Sequence, residues 1–378
     1  MSCRPAVGPA ALVAVALLAA CEGGGARLPP AVGPAPSPTV DVAPDQGAAP
    51  AVAAVPRAAT PAAISIEPAT RVEVDPPSED DHSFLTHVTF SPDGRTLVIG
   101  TASGLVALLD AQTGREQRRL AGLPGFVTSL ELSADGAQLL TVSRGEARLW
   151  ELSSGRETWR HEVNILSALH FVPDGRSFAE CDPSRVVTFL DRKTGAETKR
   201  FGRAEPHDEH RQNLLAPTSI AFSPDGKRMA AARWDQRVIL WDLRSGEEIT
   251  RLPGRLTVQW SSDGRLIATA TGTISKRHDR TSLRTRLFDG QSWKELRTFD
   301  EHDPGSARFS PDSRWLAAVG DGEVRVWDPA TGKIAGRARH AEHVPISLAF
   351  ARGGRRLATG GRDGDVVLWR LQPRQLPD

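Results

Sequence analysis

The sequence predicts an all-β chain in which seven like-sized antiparallel sheets stand around a common axis, and three observations predict it. One punctuated unit recurs seven times, clearest at residues 220–242, IAFSPDGKRMAAARWDQRVILWD. The anchoring positions Phe90, Leu132, Phe171, Phe222, Trp260, Phe309 and Phe350 stand roughly 38 to 51 residues apart, the period of a four-stranded propeller blade. Between the Gly, Pro and Asp turns lie short apolar runs, without the 3.6-residue stripes that helical repeats of this length need. The expected architecture is a seven-bladed β-propeller.

Residue chemistry explains the unit. Ile220 to Phe222 begins a buried strand, and Ser223-Pro224-Asp225-Gly226 is a tight turn in which Pro224 fixes φ and Gly226 tolerates positive φ. Met229 to Ala232 is a second strand, and Trp234-Asp235 marks the next turn. Val238 to Trp241 is a third strand, apolar on consecutive residues as expected of one packed on both faces.

The chain in front of the repeats reads differently. Of 378 residues, 28 are proline, crowded before residue 77 and confined to turns afterwards, which separates a tail from a fold. Residues 1–20 carry Arg4, an apolar run from Ala10 to Ala20 and small residues at its end. That is the layout of a secretory signal, too short to span a bilayer. Leu18-Ala19-Ala20-Cys21 also resembles the bacterial lipoprotein signal. The resemblance implies that Cys21 becomes the new N-terminus and the lipid attachment point, its thiol being the nucleophile that takes the thioether-linked lipid. At about 0.8 kcal/mol per buried methylene, two or three acyl chains hold firmly where one holds marginally. Glu22 does not resemble the aspartate that retains many lipoproteins at the inner membrane. The expected location is therefore the bacterial cell envelope, lipid-anchored, with the outer membrane favoured, on its periplasmic side or at the surface.

Residues 21–62 continue as Ala, Pro, Gly and Val with few charges, a composition that buries too little to offset its ordering entropy and reads as a disordered linker. At about 3.1 Å per residue such a stretch reaches on the order of 100 Å. The propeller is placed at 63–372. Cys3, Cys21 and Cys181 are too scattered for a disulfide framework or a metal site, and Cys181 reads as a small buried residue. The net charge of +1 gives no general attraction to nucleic acid.

In chain order the repeats carry their turns and strand ends as follows. The first has Phe90-Ser91-Pro92-Asp93-Gly94 and closes on Leu109-Asp110; the second has Leu132-Ser133-Ala134-Asp135-Gly136 and Trp150-Glu151; the third has Phe171-Val172-Pro173-Asp174-Gly175 and Leu190-Asp191. The fourth closes on Trp241-Asp242. The fifth has Trp260-Ser261-Ser262-Asp263-Gly264 and, late, Phe288-Asp289; the sixth has Phe309-Ser310-Pro311-Asp312-Ser313 and Trp327-Asp328; the last has Phe350-Ala351-Arg352-Gly353-Gly354 and Trp369-Arg370. On these residues the stretch 80–371 resembles the WD40 repeat family. Periplasmic propellers related to TolB share the Ser-Pro-Asp-Gly turn, and the Trp-Asp pairs favour WD40 over them.

The family resemblance implies a buried Trp, Ser/Thr, His, Asp hydrogen-bonded tetrad in each blade. Only the seventh repeat comes near it, with Trp369, Thr359, Asp363 and His340 or His343. The sixth has Trp327, Asp321 and His302, but Ala317 and Ala318 stand where the hydroxyl belongs. These residues are read as structural, and blade stability is expected to rest on apolar packing.

The chain ends soon after the third strand of repeat seven, so that blade lacks its outer strand. An open edge is a liability, and Arg71-Val72-Glu73-Val74, or failing that Ile64-Ser65-Ile66, can fill it. Deleting residues 63–76 is expected to destabilise the whole domain.

Two insertions break the period, residues 205–216, EPHDEHRQNLLA, and 275–286, SKRHDRTSLRTR. Both fall on the face opposite the Ser-Pro-Asp-Gly turns, in neighbouring blades, as a ridge that is acidic on one side and basic on the other. Exposed aromatic and Arg residues are favoured interface anchors, so Trp234, Arg277, Arg280, Arg284 and Arg286, with His207 and His210, are the candidate docking residues for a protein partner. No metal is assigned to His207 and His210, because a loop fixes no ligand geometry. No nucleophile elbow, phosphate loop or zinc motif stands where its chemistry could work, so no cofactor is expected. The expected function is non-catalytic: a monomeric interaction scaffold for envelope proteins, without nucleic acid. The competing reading is a periplasmic propeller enzyme or ligand binder, TolB-like or quinoprotein-like, built from polar groups around the central channel.

Overall fold

The computed structural model describes residues 63–73, 85–120, 122–163, 168–181, 186–201, 217–233, 236–254, 257–274, 281–302, 306–320, 322–340, 345–361 and 364–373. They form seven four-stranded antiparallel sheets. Blade one runs from axis to rim as Leu85–Phe90, Thr96–Thr101, Val106–Asp110 and Glu116–Leu120. Blades two to six repeat that order from Val127–Leu132, Ala168–Phe171, Pro217–Phe222, Val258–Trp260 and Ser306–Phe309. Every first strand touches the first strands of both neighbouring blades, from blade one round through blade seven and back. The first strands are therefore the inner wall, and the sheets radiate from them.

Each turn is specified by its own side chains. In blade one the Ser91 hydroxyl donates to Asp93 Oδ1 at 2.5 Å and accepts from the Thr96 N–H at 2.9 Å, while Asp93 accepts from the Arg95 N–H at 3.0 Å. The same bonds recur in blades two, four, five and six. In blade six Ser313 stands where the others have glycine and adopts φ 59°, a left-handed conformation disfavoured for a side-chain-bearing residue. The Trp-Asp pair has the same kind of explanation. Trp241 is buried, and Asp242 accepts the N–H groups of Arg244 at 2.9 Å and Ser245 at 2.8 Å, turning the chain into the fourth strand.

Blade seven consists of Pro345–Phe350, Arg356–Gly361, Asp365–Pro373 and, outermost, Ile64–Glu73 from the start of the domain. The sequence offered two short segments for this role. The structure uses Ile64-Ser65-Ile66 and Arg71-Val72-Glu73 in one ten-residue strand, paired from Ile64↔Pro373 to Glu73↔Asp365 with a bulge between Pro68 and Thr70; Val74 lies outside the described residues. Arg71 forms an ion pair with the buried Asp365. Ile64 and Ile66 pack against blade six, where a side chain at Gly336 would place its Cβ 2.8 Å from the Ile64 carbonyl oxygen, so the close approach admits only glycine.

The core is divided. Seven apolar clusters lie between the sheets, one for each pair of neighbouring blades: Val88, Phe90 and Leu97 meet Ala349 and Leu368 between blades one and seven, and Val142 and Leu149 meet Phe178 and Leu190 between blades two and three. This is the alternating-face burial of a repeat structure, in which each sheet covers its neighbours.

Blade five departs from the others. Its second, third and fourth strands, Leu266–Ile274, Thr281–Asp289 and Glu295–His302, run nine, nine and eight residues, against five to seven in the corresponding strands of blades one to four and six. Residues 281–286, expected in a loop, belong to the third strand, with Thr281 paired to Ile274. The second half of the basic insertion, residues 281–286, is thus strand, because the alternation Thr281, Leu283, Thr285 and Leu287 carries strand periodicity through it; residues 275–280 lie outside the described residues.

Candidate functional site

Three groups of residues are candidates. The first is the buried polar cluster of blade seven. Trp369 donates its indole N–H to Thr359 Oγ1 at 2.9 Å, and Thr359 Oγ1 lies 3.1 Å from His340 Nε2. His340 is therefore the histidine that reaches the hydroxyl, and all three side chains are buried; Asp363 and His343 lie outside the described residues. Blade two holds a related pair that the sequence reading passed over. Trp150 donates to Thr141 Oγ1 at 3.0 Å, while the Arg148 guanidinium sits 5.9 Å from the Trp150 ring and pairs with Glu146 and Glu157. Register would have revealed it: Thr141 and Thr359 each stand two residues beyond the partner of the tryptophan, at Leu139↔Trp150 and Leu357↔Trp369.

The second group is the expected docking ridge. Arg284 is exposed on the lengthened hairpin, and Arg286 is partly buried, its Nη1 3.3 Å from Glu295 of the adjoining strand. His207, His210, Trp234, Arg277 and Arg280 lie outside the described residues, as do Cys21 and the whole of the first insertion, 205–216. The side chain of Cys181 is also outside them.

The third group was invisible in the sequence. The residue before each anchor, Thr89, Glu131, His170, Ala221, Gln259, Arg308 and Ala349, occupies the same place on every first strand, opposite Val98, Leu140, Ala179, Ala230, Ala268, Ala317 and Ala358. These positions face the next blade at the channel wall. Two of them tie blades together. Glu131 Oε2 accepts the Phe171 N–H at 3.2 Å and lies 3.0 Å from His170 Nδ1; Gln259 Oε1 accepts the Phe309 N–H at 2.8 Å. The inner edge of a first strand has no strand beside it, so a side chain from the preceding blade satisfies its backbone.

Arg308 stands on the same wall without such a partner, and His87 lies two residues before Thr89 on the first strand of blade one. His87 Nδ1 is buried without a hydrogen bond. Burial, then the Arg308 charge, then His170 push the ring's pKa down to about 4, with a hydrogen bond to the Val127 backbone working the other way. Burial also lowers the pKa of Arg308, whose Nη1 donates to the Ala307 carbonyl at 2.9 Å. No carboxylate lies within ion-pair distance of it among the described residues.

His87 sets a pH dependence. Its folded pKa is below the unfolded value, so the unfolded chain takes up the proton first as pH falls. Stability is complete above about pH 6.5 and declines towards pH 4, by at most about 3 kcal/mol because the side chain is only partly buried. The turn carboxylates act in a lower window. Ser91, Ser133 and Ser223 hydroxyls hold Asp93, Asp135 and Asp225 below the usual carboxylate range, so their contribution is lost only under more acid conditions. Thermal melts between pH 4 and 7 should show a shallower slope for His87→Gln than for the parent; equal slopes would remove His87 as the cause.

Comparison with known proteins bears on the whole ring. The family model described as outer membrane protein assembly factor BamB matches residues 75–292, more than half of the chain, and the model for WD domain, G-beta repeat matches 293–328 and 338–370. The chain is similar to telomerase protein component 1 of Rattus norvegicus, 25% identical over 300 residues, covering 76% of this chain and 11% of that protein. It is similar to small ribosomal subunit protein RACK1 of Drosophila melanogaster, 27% identical over 314 residues, covering 77% of this chain and 94% of that protein. Small ribosomal subunit protein RACK1y of Oryza sativa subsp. japonica is 28% identical over 276 residues, covering 68% of this chain and 78% of its own length. The chain therefore spans about a tenth of the telomerase component and nearly all of the fly protein.

Proposed function

Since the chain belongs to the β-propeller family described as outer membrane protein assembly factor BamB, and its C-terminal blades match WD repeats, we propose that it is a non-catalytic scaffold for envelope proteins. Cys21 carries the lipid anchor in this reading, and residues 21–62 tether the ring to a bacterial membrane, with the outer membrane favoured. The proteins it resembles are named for assembly and for large complexes, which supports a docking role without assigning a partner.

The observation that carries the docking role is the lengthened blade five. Its hairpin adds about three residues per strand, on the order of 10 Å, and ends in the basic stretch that contains Arg277, Arg280, Arg284 and Arg286. The lengthened ladder of Leu266–Ile274 and Thr281–Asp289, with Arg284 exposed on it, offers a preformed platform for a partner.

The test is cross-linking in intact bacterial cells followed by mass spectrometry, comparing the parent with a variant in which residues 275–280 are replaced by Asn-Gly, a two-residue turn that suits the Ile274↔Thr281 pairing. Loss of at least one envelope protein from the cross-linked set is the expected result. Identical sets would reject the hairpin as the docking element. Incorporation of labelled fatty acid, expected in the parent and absent in Cys21→Ala, checks the anchor separately.

A further inference from the structure

The boundary between blades four and five is built differently from its counterparts on the same face. In blades one, three and five, Arg118, Lys199 and Arg297 stand two residues after Glu116, Glu197 and Glu295, the partners of Leu109, Leu190 and Phe288. Each reaches the turn of the next blade and donates there, to the carbonyls of Ser153, Leu243 and Ala330. Blade four has Thr250 at that position, a side chain too short for the reach. The turn that it faces, between the third and fourth strands of blade five, has Trp293 where blades one to four and six have Gly114, Gly155, Gly195, Gly246 and Gly332. Trp293 is held at φ 63°, a left-handed conformation that a bulky residue keeps only when its surroundings impose it. Its ring meets Trp260 edge to face at 5.9 Å and lies 5.0 Å from the Arg228 guanidinium.

What remains is a cleft of about 620 Å³ lined by Asp225, Arg228, Trp260, Asp263 and Gln291, against about 400 Å³ for the equivalent cleft between blades one and two, which Arg118 lines. Contacts hold these groups together. A Cβ at Gly264 would stand 3.6 Å from Pro224, and Arg228 Nη1 donates to the Gly290 carbonyl of blade five at 3.0 Å. Stacked on Trp293, the guanidinium is fixed, and its other N–H groups make no hydrogen bond among the described residues. Asp225 and Asp263 close their own turns through Oδ1, which leaves each an Oδ2, that of Asp263 at 3.9 Å from Arg265. Trp260 stands where the other blades have Phe or Leu, is 5% exposed, and its indole N–H finds no acceptor. A buried tryptophan ordinarily has one.

We propose that this cleft binds a neutral saccharide, whose hydroxyls donate to Asp225 and Asp263 and accept from Arg228 and Gln291. The volume lies within the about 300 to 1,000 Å³ of ordinary small-molecule sites. Charges of both signs in one cleft disfavour an isolated ion, since the carboxylates repel an anion and the guanidinium a cation. Hydroxyls suit such a lining because each both donates and accepts, so neighbouring hydroxyls satisfy a carboxylate and a guanidinium together. A ligand oxygen against the floor of the cleft supplies the acceptor that Trp260 lacks. The cleft adjoins the turn between the first and second strands of blade five, at the opposite end of that blade from the lengthened hairpin. The site is therefore separate from the docking role.

Saturation-transfer difference NMR of the folded chain, titrated with maltotriose and separately with triacetylchitotriose, tests this. Saturable transfer is expected to at least one of the two, and the preference between them shows whether the cleft reads plain hydroxyls or the acetamido group. Gln291 is exposed and its side chain makes no hydrogen bond among the described residues, so Gln291→Ala leaves the fold intact. It should weaken binding about two- to tenfold, the scale of one neutral hydrogen bond. Arg228→Gln should lose about tenfold or more, as for a charged donor. Trp293→Gly restores the residue that blades one to four and six use at φ 72 to 76°, so it too should fold, and by removing the surface that holds Arg228 it should weaken binding. Arg118→Gln, in the cleft between blades one and two, is the control and should leave the affinity unchanged. No saturable transfer to either sugar, or affinities in Gln291→Ala and Arg228→Gln equal to the parent's, would overturn the proposal. So would a loss in Arg118→Gln as large as that in Arg228→Gln.

Discussion

A chain lacking residues 63–73 should melt at least about 10 °C below the parent. The strand Ile64–Glu73 buries Ile64 and Ile66 against blade six and completes the hydrogen-bonding of Asp365–Pro373. Full burial of two isoleucines contributes about 3 to 6 kcal/mol, and a domain of this size loses roughly 2 °C or more per kcal/mol. Ring closure adds to the effect, because Arg71 neutralises the buried Asp365 and the strand also packs on the outer strand of blade six. Once it is gone, Asp365–Pro373 presents a newly exposed apolar edge, Val366 to Trp369, which invites pairing between copies. The truncated chain should therefore also show concentration-dependent association by sedimentation. An unchanged melting temperature would mean that six blades and an incomplete seventh are as stable as the closed ring, contrary to the packing described here.

Thr359→Val and Thr141→Val separate the two tryptophan clusters. Valine keeps the shape and removes the hydroxyl. In blade seven this leaves two buried polar groups, Trp369 Nε1 and His340 Nε2, without the oxygen they share. In blade two it strands Trp150 Nε1 alone. An orphaned buried group costs about 1 to 3 kcal/mol, so Thr359→Val should cost about 3 kcal/mol and Thr141→Val about half that. Denaturant melts with unchanged slopes would provide the comparison. Equal losses would show that the His340 contact adds nothing to blade seven.

The turns and strands were legible because their causes are local. Ser223, Asp225 and Gly226 close their turn with bonds spanning at most five residues, and Asp242 caps its turn within three. The polar cluster of blade seven was readable through its family likeness, and blade two's pair was missed because its hydroxyl lies in an apolar strand with no histidine to mark it. The channel wall was not readable at all. Glu131, His170, Gln259 and Arg308 look like ordinary polar positions alternating with buried ones, and the contact between Glu131 and Phe171 crosses forty residues and two sheets.

By itself the sequence determined the number of sheets, their order and the outer strand borrowed from the front of the domain, since seven phased turns and one missing edge leave few other ways to pair the chain. Only the tertiary structure decided which polar side chains meet at the axis. Strand alternation places a residue on a face, but whether Arg308 finds a carboxylate, a carbonyl or an empty space depends on how far neighbouring sheets rotate towards one another, and no local pattern encodes that angle.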